Sequence, residues 1–227
     1  MAKRTEEQRR AEEWLPSIDE VVVSTVGILT IGGLYFVISD AVRVGPAWLL
    51  ILLEALLVAP IFVTHIVLRR PMPHRLRRFL ILGLLALLGV ALIGSLARFI
   101  IALPSYARGP LLLLDGGILW VINVLVFATW YWELDGGGPH MRSVRAGQAQ
   151  DFMFPQQQFV DPDHPSHWKP GFIDYLFLAF CFSTAFSPAD SFPLTRGAKL
   201  LVMAQAAISL VIIGLIVSRA INILGSP

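Results

Sequence analysis

Residues 79–103 read FLILGLLALLGVALIGSLARFIIAL, an apolar run that contains a single charged residue, Arg98. At a rise of about 1.5 Å per residue, a helix of this length crosses the roughly 30 Å hydrocarbon core of a bilayer. Lipid offers no hydrogen-bond partners to peptide groups, so a crossing segment must satisfy them internally, as a helix does. The run therefore predicts a transmembrane helix.

The rest of the chain repeats this pattern between breakers such as Gly45-Pro46 and Pro104. Hydrophobic residues make up 56% of the 227 residues and charged residues 15%, too few charges to cover a soluble domain of this length. We expect an all-α fold, a polytopic membrane helix bundle. Six transmembrane segments are predicted, at residues 18–38, 47–68, 79–103, 110–132, 171–187 and 197–224.

These segments divide the chain into four regions. They are a charged cytoplasmic N-terminal segment (1–17), a four-helix membrane region (18–134), a cytoplasmic loop (135–170) and a C-terminal two-helix membrane module (171–227). The loop is rich in Gly, Pro, Gln and Asp, and its aromatic residues predict that it docks partly against the bundle or the membrane interface. These aromatic residues are Phe152, Phe154, Phe159 and Trp168.

The distribution of Lys and Arg predicts the orientation in the membrane, because cytoplasmic loops carry an excess of these residues. With the N-terminus in the cytoplasm, 13 of the 18 Lys and Arg residues lie on the inner side. The other five lie outside: Arg43, Arg98, Arg108, Arg196 and Lys199. We expect a cytoplasmic N-terminus and, with six crossings, a cytoplasmic C-terminus.

Segment 171–187 leaves a second topology open. It is the shortest of the six and contains the polar residues Asp174 and Ser183. If it is re-entrant, Arg196 and Lys199 lie inside and Arg219 lies outside. Of the 18 Lys and Arg residues, 14 are then inside and four are outside. The charge count therefore does not distinguish six crossings from five crossings plus one re-entrant segment.

Three ionisable residues fall at similar depth in the outer half of the predicted spans: Glu54, Arg98 and Asp115. Charges inside a membrane are costly to bury and mark functional candidates. An arginine between two carboxylates would compensate the desolvation of each. This intramembrane polar cluster indicates either an outward-facing cavity that binds an ion, proton or small solute, or a salt-bridge network that fixes helix packing.

Other polar residues in the spans predict contacts between helices. Asp174 and Arg219 are expected to form an inner-side pair that anchors the last two segments in the six-span topology. Uncharged polar residues are expected to form interhelical hydrogen bonds, each worth about 1 kcal/mol or less. These residues are Asn123, Gln205, Ser209 and Asn222.

The sequence gives little indication of catalysis or cofactor binding. No nucleophile lies beside a base, and Gly136-Gly137-Gly138 predicts a flexible turn, not a phosphate-binding loop. Residues 161–167 contain carboxylates and imidazoles without an established metal-ligand spacing. Cys181, the single cysteine, is expected to be a buried structural thiol. No enzyme activity, cofactor or metal is predicted, and a net charge of +2 does not indicate nucleic-acid binding.

Residues 150–224 carry a family resemblance. Their order of motifs is DFMFP (151–155), PGFIDYLFLAF (170–180), STAFSPAD (183–190) and RAINIL (219–224). This order resembles an uncharacterised family of bacterial multi-pass inner-membrane proteins, known only as a domain of unknown function. The resemblance implies a bacterial cytoplasmic membrane, and it brings neither a substrate nor a reaction.

A fainter likeness concerns residues 183–190, which precede Pro193-Leu194-Thr195 and a long helix from Gly197. This spacing is similar to the pore module of two-helix potassium channels. The filter glycines of those channels are missing here, so potassium selectivity is not implied. The likeness implies four candidate pore-lining residues: Ser183, Thr184, Ser187 and Asp190.

Two function classes follow from these observations. The first is permeation of an ion or small solute, by a channel or a small transporter. The alternative is a non-transporting membrane scaffold or accessory subunit that assembles with partners. The expected partners are the lipid bilayer and, for either class, further copies of the same chain in a homo-oligomer.

Overall fold

The computed structural model describes residues 18–64, 68, 74–105, 109–139, 142, 150–158, 168–184 and 191–224. The predicted all-α class is confirmed for these residues, since apart from two short strands their regular structure is helical. The helices are α1 (Ile18–Val37), α2 (Ala47–Phe62), α3 (His74–Ala102), α4 (Gly109–Leu134), α5 (Pro155–Gln158), α6 (Phe172–Thr184) and α7 (Arg196–Leu224); the strands are β1 (Phe152–Met153) and β2 (Phe192–Pro193).

Three of the helical stretches are long and apolar enough to cross a membrane. They are Leu76–Ala102, Pro110–Gly137 and Arg196–Ile221. Three further apolar helical stretches are shorter: Val22–Val37, Ala47–Phe62 and Phe172–Thr184. The predicted membrane character is therefore confirmed by length and composition, while the number of crossings depends on how the shorter helices are arranged.

Helix α4 is the centre of the bundle. It packs against α1, α3, α6 and α7, and α2 lies outside this group against α1 and α3. About two thirds of the apolar window of α4 is buried, compared with 17% of the window of α7. The central helix therefore meets protein on most of its surface, and α7 leaves most of its apolar surface open to lipid.

Contacts with α4 fix the direction of its neighbours. Phe99 of α3 and Ile216 of α7 both pack against Gly116, near the start of α4. At the other end of α4, Tyr131 contacts α7 through Gln205. Helices α3 and α7 are therefore both antiparallel to α4. We name the two ends of the bundle after α4 residues, the Asp115 end and the Asp135 end.

Helix α6 enters the bundle from the Asp135 end, and the chain comes back to that same end. Tyr175, in the first turn of α6, donates a hydrogen bond to Asp135. After α6, β2 pairs antiparallel with β1, and the N–H of Leu194 donates to the carbonyl of Asp151. The described residues on both sides of α6 therefore lie at one end of the bundle, and α6 itself does not reach the other end. The reason is length, because the 13 residues of α6 span only about 20 Å.

Candidate functional site

The carboxylate of Asp135 joins three parts of the chain at the base of α6. Its Oδ1 accepts the backbone N–H groups of Asp151 (2.6 Å) and Phe152 (3.2 Å). Its Oδ2 accepts the hydroxyl of Tyr175 at 2.5 Å. Asp135 itself is fully buried. The end of α4, strand β1 and the first turn of α6 are therefore held by one side chain.

A second aspartate, Asp151, holds the chain between α6 and α7. Its Oδ1 accepts the hydroxyl of Thr195 at 2.6 Å, and its carbonyl accepts the N–H of Leu194 at 2.8 Å. Its Oδ2 accepts the N–H of Gly136 at 3.0 Å, which ties it back to the end of α4. We call Asp135 and Asp151 together the aspartate clamp, since they fix the chain on both sides of α6.

The three glycines after Asp135 make this arrangement possible. Gly136, Gly137 and Gly138 have φ angles of 57°, 85° and 95°, which other residues adopt only rarely. A Cβ at Gly138 would approach the carbonyl oxygen of Glu133 to 3.0 Å. The sequence predicted a flexible turn here. The structure shows instead a defined reversal, which leaves Asp151 within reach of α4.

Aromatic rings and one arginine surround the clamp. The guanidinium of Arg142 lies 4.5 Å from the ring centre of Trp132 and 5.0 Å from that of Tyr175. Arg142 also donates to the carbonyls of Trp132 and Asp135, at 2.7 and 2.8 Å. Phe152 and Phe154 are buried here, so the expected docking of the long loop is seen at these two residues.

The carboxyl end of α6 lies near the middle of α4. Phe180 makes an edge contact with Trp120, with ring centres 5.8 Å apart. Trp120 lies about halfway along the 26 residues of α4. Ser183 is buried, while Thr184 is half-buried, and the Thr184 hydroxyl donates to the carbonyls of Phe180 and Cys181. The last turn of α6 therefore places one buried hydroxyl group, that of Ser183, and one half-buried hydroxyl group, that of Thr184, near the middle of α4.

Gln205 of α7 connects this last turn to α4. Its Nε2 donates to the carbonyl of Ala179 and to Oγ of Ser183, both at 2.8 Å. Its Oε1 accepts the hydroxyl of Tyr131 at 2.5 Å. Gln205 and Tyr131 are fully buried. We call Tyr131, Ser183 and Gln205 the tip network.

One helical turn further along α7, a second polar contact joins α7 to α4. Nδ2 of Asn123 donates to Oγ of Ser209 at 2.9 Å. The interhelical hydrogen bonds predicted for Asn123, Gln205 and Ser209 are thus confirmed, whereas the side chain of Asn222 lies outside the described residues. Cys181 is a free, buried thiol, as predicted.

The predicted polar cluster is divided between two places. At the Asp115 end, Asp115 accepts the N–H of Ser39 (3.0 Å) and its hydroxyl (2.5 Å). Arg98 donates to the carbonyls of Asp40 and Ala41 at 3.0 and 3.2 Å. Arg98 and Asp115 therefore hold one turn, residues 39–41, from two different helices.

Glu54 lies apart from that turn, on the face of α2 that packs against α1. Its carboxylate contacts Gly32, and neither carboxylate oxygen has a hydrogen-bond partner among the described residues. The expected compensation of Glu54 by Arg98 is not seen, because Arg98 is directed to the backbone carbonyls after α1.

The predicted inner-side pair of Asp174 and Arg219 does not form. Asp174 lies at the Asp135 end, where its carboxylate accepts the N–H of Gly171 at 2.7 Å. Arg219 is three residues beyond Ile216, which packs at the Asp115 end. The two residues are separated by most of the length of α4, roughly 30 Å. The pairing assumed that segment 171–187 crosses the membrane, and α6 does not cross the bundle.

Several predicted residues lie outside the described part of the chain. Among the candidate pore-lining residues, Ser187 and Asp190 belong to this group, as do the loop aromatic residue Phe159 and the carboxylates and imidazoles of 161–167. They stay predictions. The described candidates, Ser183 and Thr184, lie together at the end of α6.

The aspartate clamp is not apparent from the sequence. Asp135 and Asp151 fall at the start and in the middle of the predicted loop, where charged residues are ordinary. One signal was available, the three consecutive glycines after Asp135. Such a run predicts a tight reversal of the chain direction. A reversal brings the residues after the glycines back towards Asp135, the residue that precedes them.

A comparison of the chain with protein-family models, curated proteins and solved structures found no match. The likeness of residues 150–224 to a bacterial membrane family stays a prediction. The geometry of α6 and its surroundings is therefore the basis for a proposed function.

Proposed function

We propose that this protein mediates permeation of a small cation across a bacterial cytoplasmic membrane, with the carboxyl end of α6 lining the path. One observation carries the proposal. A 13-residue helix enters from the Asp135 end and stops beside buried hydroxyl and amide groups near the middle of the bundle. Half-helices that end at this depth form ion sites in many transporters and channels.

The topology that accompanies this proposal has five crossings. Helices α1, α2, α3, α4 and α7 cross, and α6 is re-entrant from the cytoplasmic side. The N-terminus is cytoplasmic and the C-terminus lies on the opposite face. Support comes from the return of β2 to β1 and from the charge distribution, with 14 of 18 Lys and Arg residues inside.

A cation is the ligand that the electrostatics favour. The carboxyl end of a helix carries about half a negative charge from its aligned peptide dipoles. The carbonyls of its last turn accept no backbone N–H of the helix, and among them the carbonyl of Cys181 accepts the hydroxyl of Thr184. Ser183 accepts one hydrogen bond, from Gln205, and its hydroxyl oxygen has a second lone pair. All of these groups favour positive charge, and the described part of the site adds no cationic side chain that would oppose it.

A homo-oligomer is part of the same proposal. Backbone that leaves a half-helix at membrane depth is tolerated only inside protein or against a water-filled cavity. The outer face of α6 exposes Ile173 and Phe177, each by about 60% of its surface. A second copy against this face would enclose the end of α6 and place the path between subunits.

The test is cation flux through the full chain reconstituted in liposomes. Wild-type protein should conduct Na⁺ or K⁺ down an imposed gradient. Gln205→Leu and the milder Ser183→Ala should each reduce flux at equal protein content, because both alter the last turn of α6. Ser218→Ala is the matched control, since Ser218 is an exposed residue of α7 outside the tip network.

Silent liposomes that contain folded, monodisperse wild-type protein would reject permeation. The non-transporting scaffold or accessory subunit would then be favoured, and the next step would be isolation of a stoichiometric partner from native membranes. Equal flux through wild type and both tip variants would reject α6 as the path while leaving permeation itself in place.

A further inference from the structure

Glu54 is a buried carboxyl group that the proposed path does not use. The residue is completely inaccessible. It shares one face of α2 with Leu50 and Val58, four residues on either side, and both of these are buried apolar residues. Helix α1 packs against this face, and the carboxylate of Glu54 contacts Gly32 of α1. A side chain at position 32 would clash with this carboxylate.

Among the described residues, no side chain supplies a counter-charge for an ionised Glu54. Both carboxylate oxygens lack a hydrogen-bond donor among the described residues. On α1, residues 22–37 contain one ionisable group, Tyr35, and its hydroxyl is bonded to Val44 and Ser95. The packing against α1 therefore offers neither a cation nor a free donor.

Helix α3, the other neighbour of α2, carries ionisable residues only towards its ends. Arg98 is bonded to the carbonyls of Asp40 and Ala41. Arg77 and Arg78 lie near the start of α3, at the Asp135 end of the bundle, and the side chains of His74 and Arg75 lie outside the described residues. Between these ends, residues 79–97 of α3 contain no ionisable side chain.

An ionised carboxylate that is buried without a counter-charge is strongly unfavourable, and such groups take up a proton instead. We infer that Glu54 is a proton-binding site within the membrane, occupied by a neutral carboxylic acid that lies against Gly32. A metal cation is a weaker fit, because hard cations require several oxygen ligands. The described surroundings provide two, both from Glu54 itself.

A protonated carboxyl group in an apolar environment is also a modification site for hydrophobic carbodiimides. The acid adds across one C=N bond of the reagent: its proton goes to nitrogen and its oxygen to the central carbon. The resulting O-acylisourea rearranges to an N-acylurea without a leaving group. All atoms of both reactants remain in the product, and no oxidant or reductant is required.

The decisive experiment is infrared spectroscopy of the full chain in lipid at neutral pH. The carbonyl band of a protonated carboxylic acid should be present in wild type and reduced in Glu54→Gln, whose amide has the shape of the neutral acid. Raising the pH should remove the same band from wild type. An identical carbonyl region in the two proteins at neutral pH would overturn the proposal.

Carbodiimide labelling of wild type provides a second test that requires no variant. Peptide mapping by mass spectrometry should find the adduct at Glu54 and none at Asp40, whose side chain is 89% exposed to water. Excess Na⁺ or K⁺ should leave the labelling unchanged. A slowing of several-fold by either cation would contradict a proton site and indicate a metal-cation site.

Discussion

The backbone N–H of Asp151 donates to Oδ1 of Asp135 at 2.6 Å, while Oδ2 of Asp151 accepts the N–H of Gly136 at 3.0 Å. Each carboxylate thus accepts a backbone N–H from the other aspartate's segment, Asp135 from Asp151 itself and Asp151 from Gly136, the neighbour of Asp135. Since Asp135 also accepts Tyr175 and Asp151 also accepts Thr195, this pair determines where α6 begins and where α7 begins. Helix α6 is therefore held at its base by contacts on both sides.

Replacement of Asp135 tests how much the fold depends on this clamp. Asp135→Ala removes the acceptor of three hydrogen bonds and leaves three donors in a buried site. We expect a loss of about 3 kcal/mol or more in the free energy of unfolding. Asp174→Ala, which removes a single bond to Gly171, should cost about 1 kcal/mol.

Thermal or denaturant unfolding of both variants in detergent would measure the difference. Equal losses for Asp135→Ala and Asp174→Ala would mean that the clamp is not a principal contact of the fold.

Two adjacent glycines of α4 provide a matched test of helix packing. A Cβ at Gly116 would lie 2.6 Å from Ile216 of α7, whereas a Cβ at Gly117 would meet nothing within 4 Å. We expect Gly116→Ala to destabilise the protein by about 1–3 kcal/mol through overpacking. Gly117→Ala should be neutral or stabilise by up to about 1 kcal/mol, because alanine is the better helix former. The reverse order of melting temperatures would show that α7 does not pack against α4 at this position.

The five-crossing topology is tested by labelling of single cysteines in a Cys181→Ala background. Lys169→Cys and Lys199→Cys introduce exposed positions before and after α6, and Asp40→Cys introduces one at the Asp115 end. A membrane-impermeant maleimide should reach the Lys169 and Lys199 positions from one face of the membrane and the Asp40 position from the other. Labelling of the Lys199 position together with the Asp40 position would restore the six-span arrangement.

Arg98 is expected to stabilise the turn after α1. Its guanidinium donates to two backbone carbonyls, those of Asp40 and Ala41. Because Arg98 is exposed, the loss for Arg98→Ala should be modest, about 1 kcal/mol. Arg196→Ala, also at an exposed helix end, is the control and should change the melting temperature little. Indistinguishable melting temperatures would show that the turn does not depend on Arg98.

The sequence predicted the helices well and their arrangement less well. Apolar runs and Pro or Gly breakers place α1 to α4, α6 and α7 within a few residues, because each run must satisfy its peptide groups internally. The sequence does not decide the path after α6. In the re-entrant topology Arg196 and Lys199 move to the inner side while Arg219 moves to the outer side, so both topologies place an excess of Lys and Arg in the cytoplasm. The short length of segment 171–187 and its polar residues are the two features that favour the re-entrant alternative.

The polar contacts between helices are likewise predicted only in part. Gln205 and Asn123 lie in apolar segments, and this position predicts that each forms a hydrogen bond to another helix. Which partner each takes depends on residues more than 20 positions away, such as Tyr131 and Ser183, and no local pattern encodes this. The equal depth of Glu54 and Arg98 suggested a contact, but depth along a helix says nothing of the direction in which a side chain projects.

The reciprocal clamp also has a consequence for biosynthesis. The ribosome releases Asp135 and Asp151 well before Thr195 and Leu194, the last contacts that Asp151 makes. Before those residues emerge, Asp135 can already hold Asp151, Phe152 and Tyr175, but Asp151 cannot yet hold the start of α7. The half of the clamp that holds α6 is therefore encoded earlier in the chain than the half that holds α7, so a nascent chain that stops before residue 194 can secure the start of α6 but not the segment that follows it.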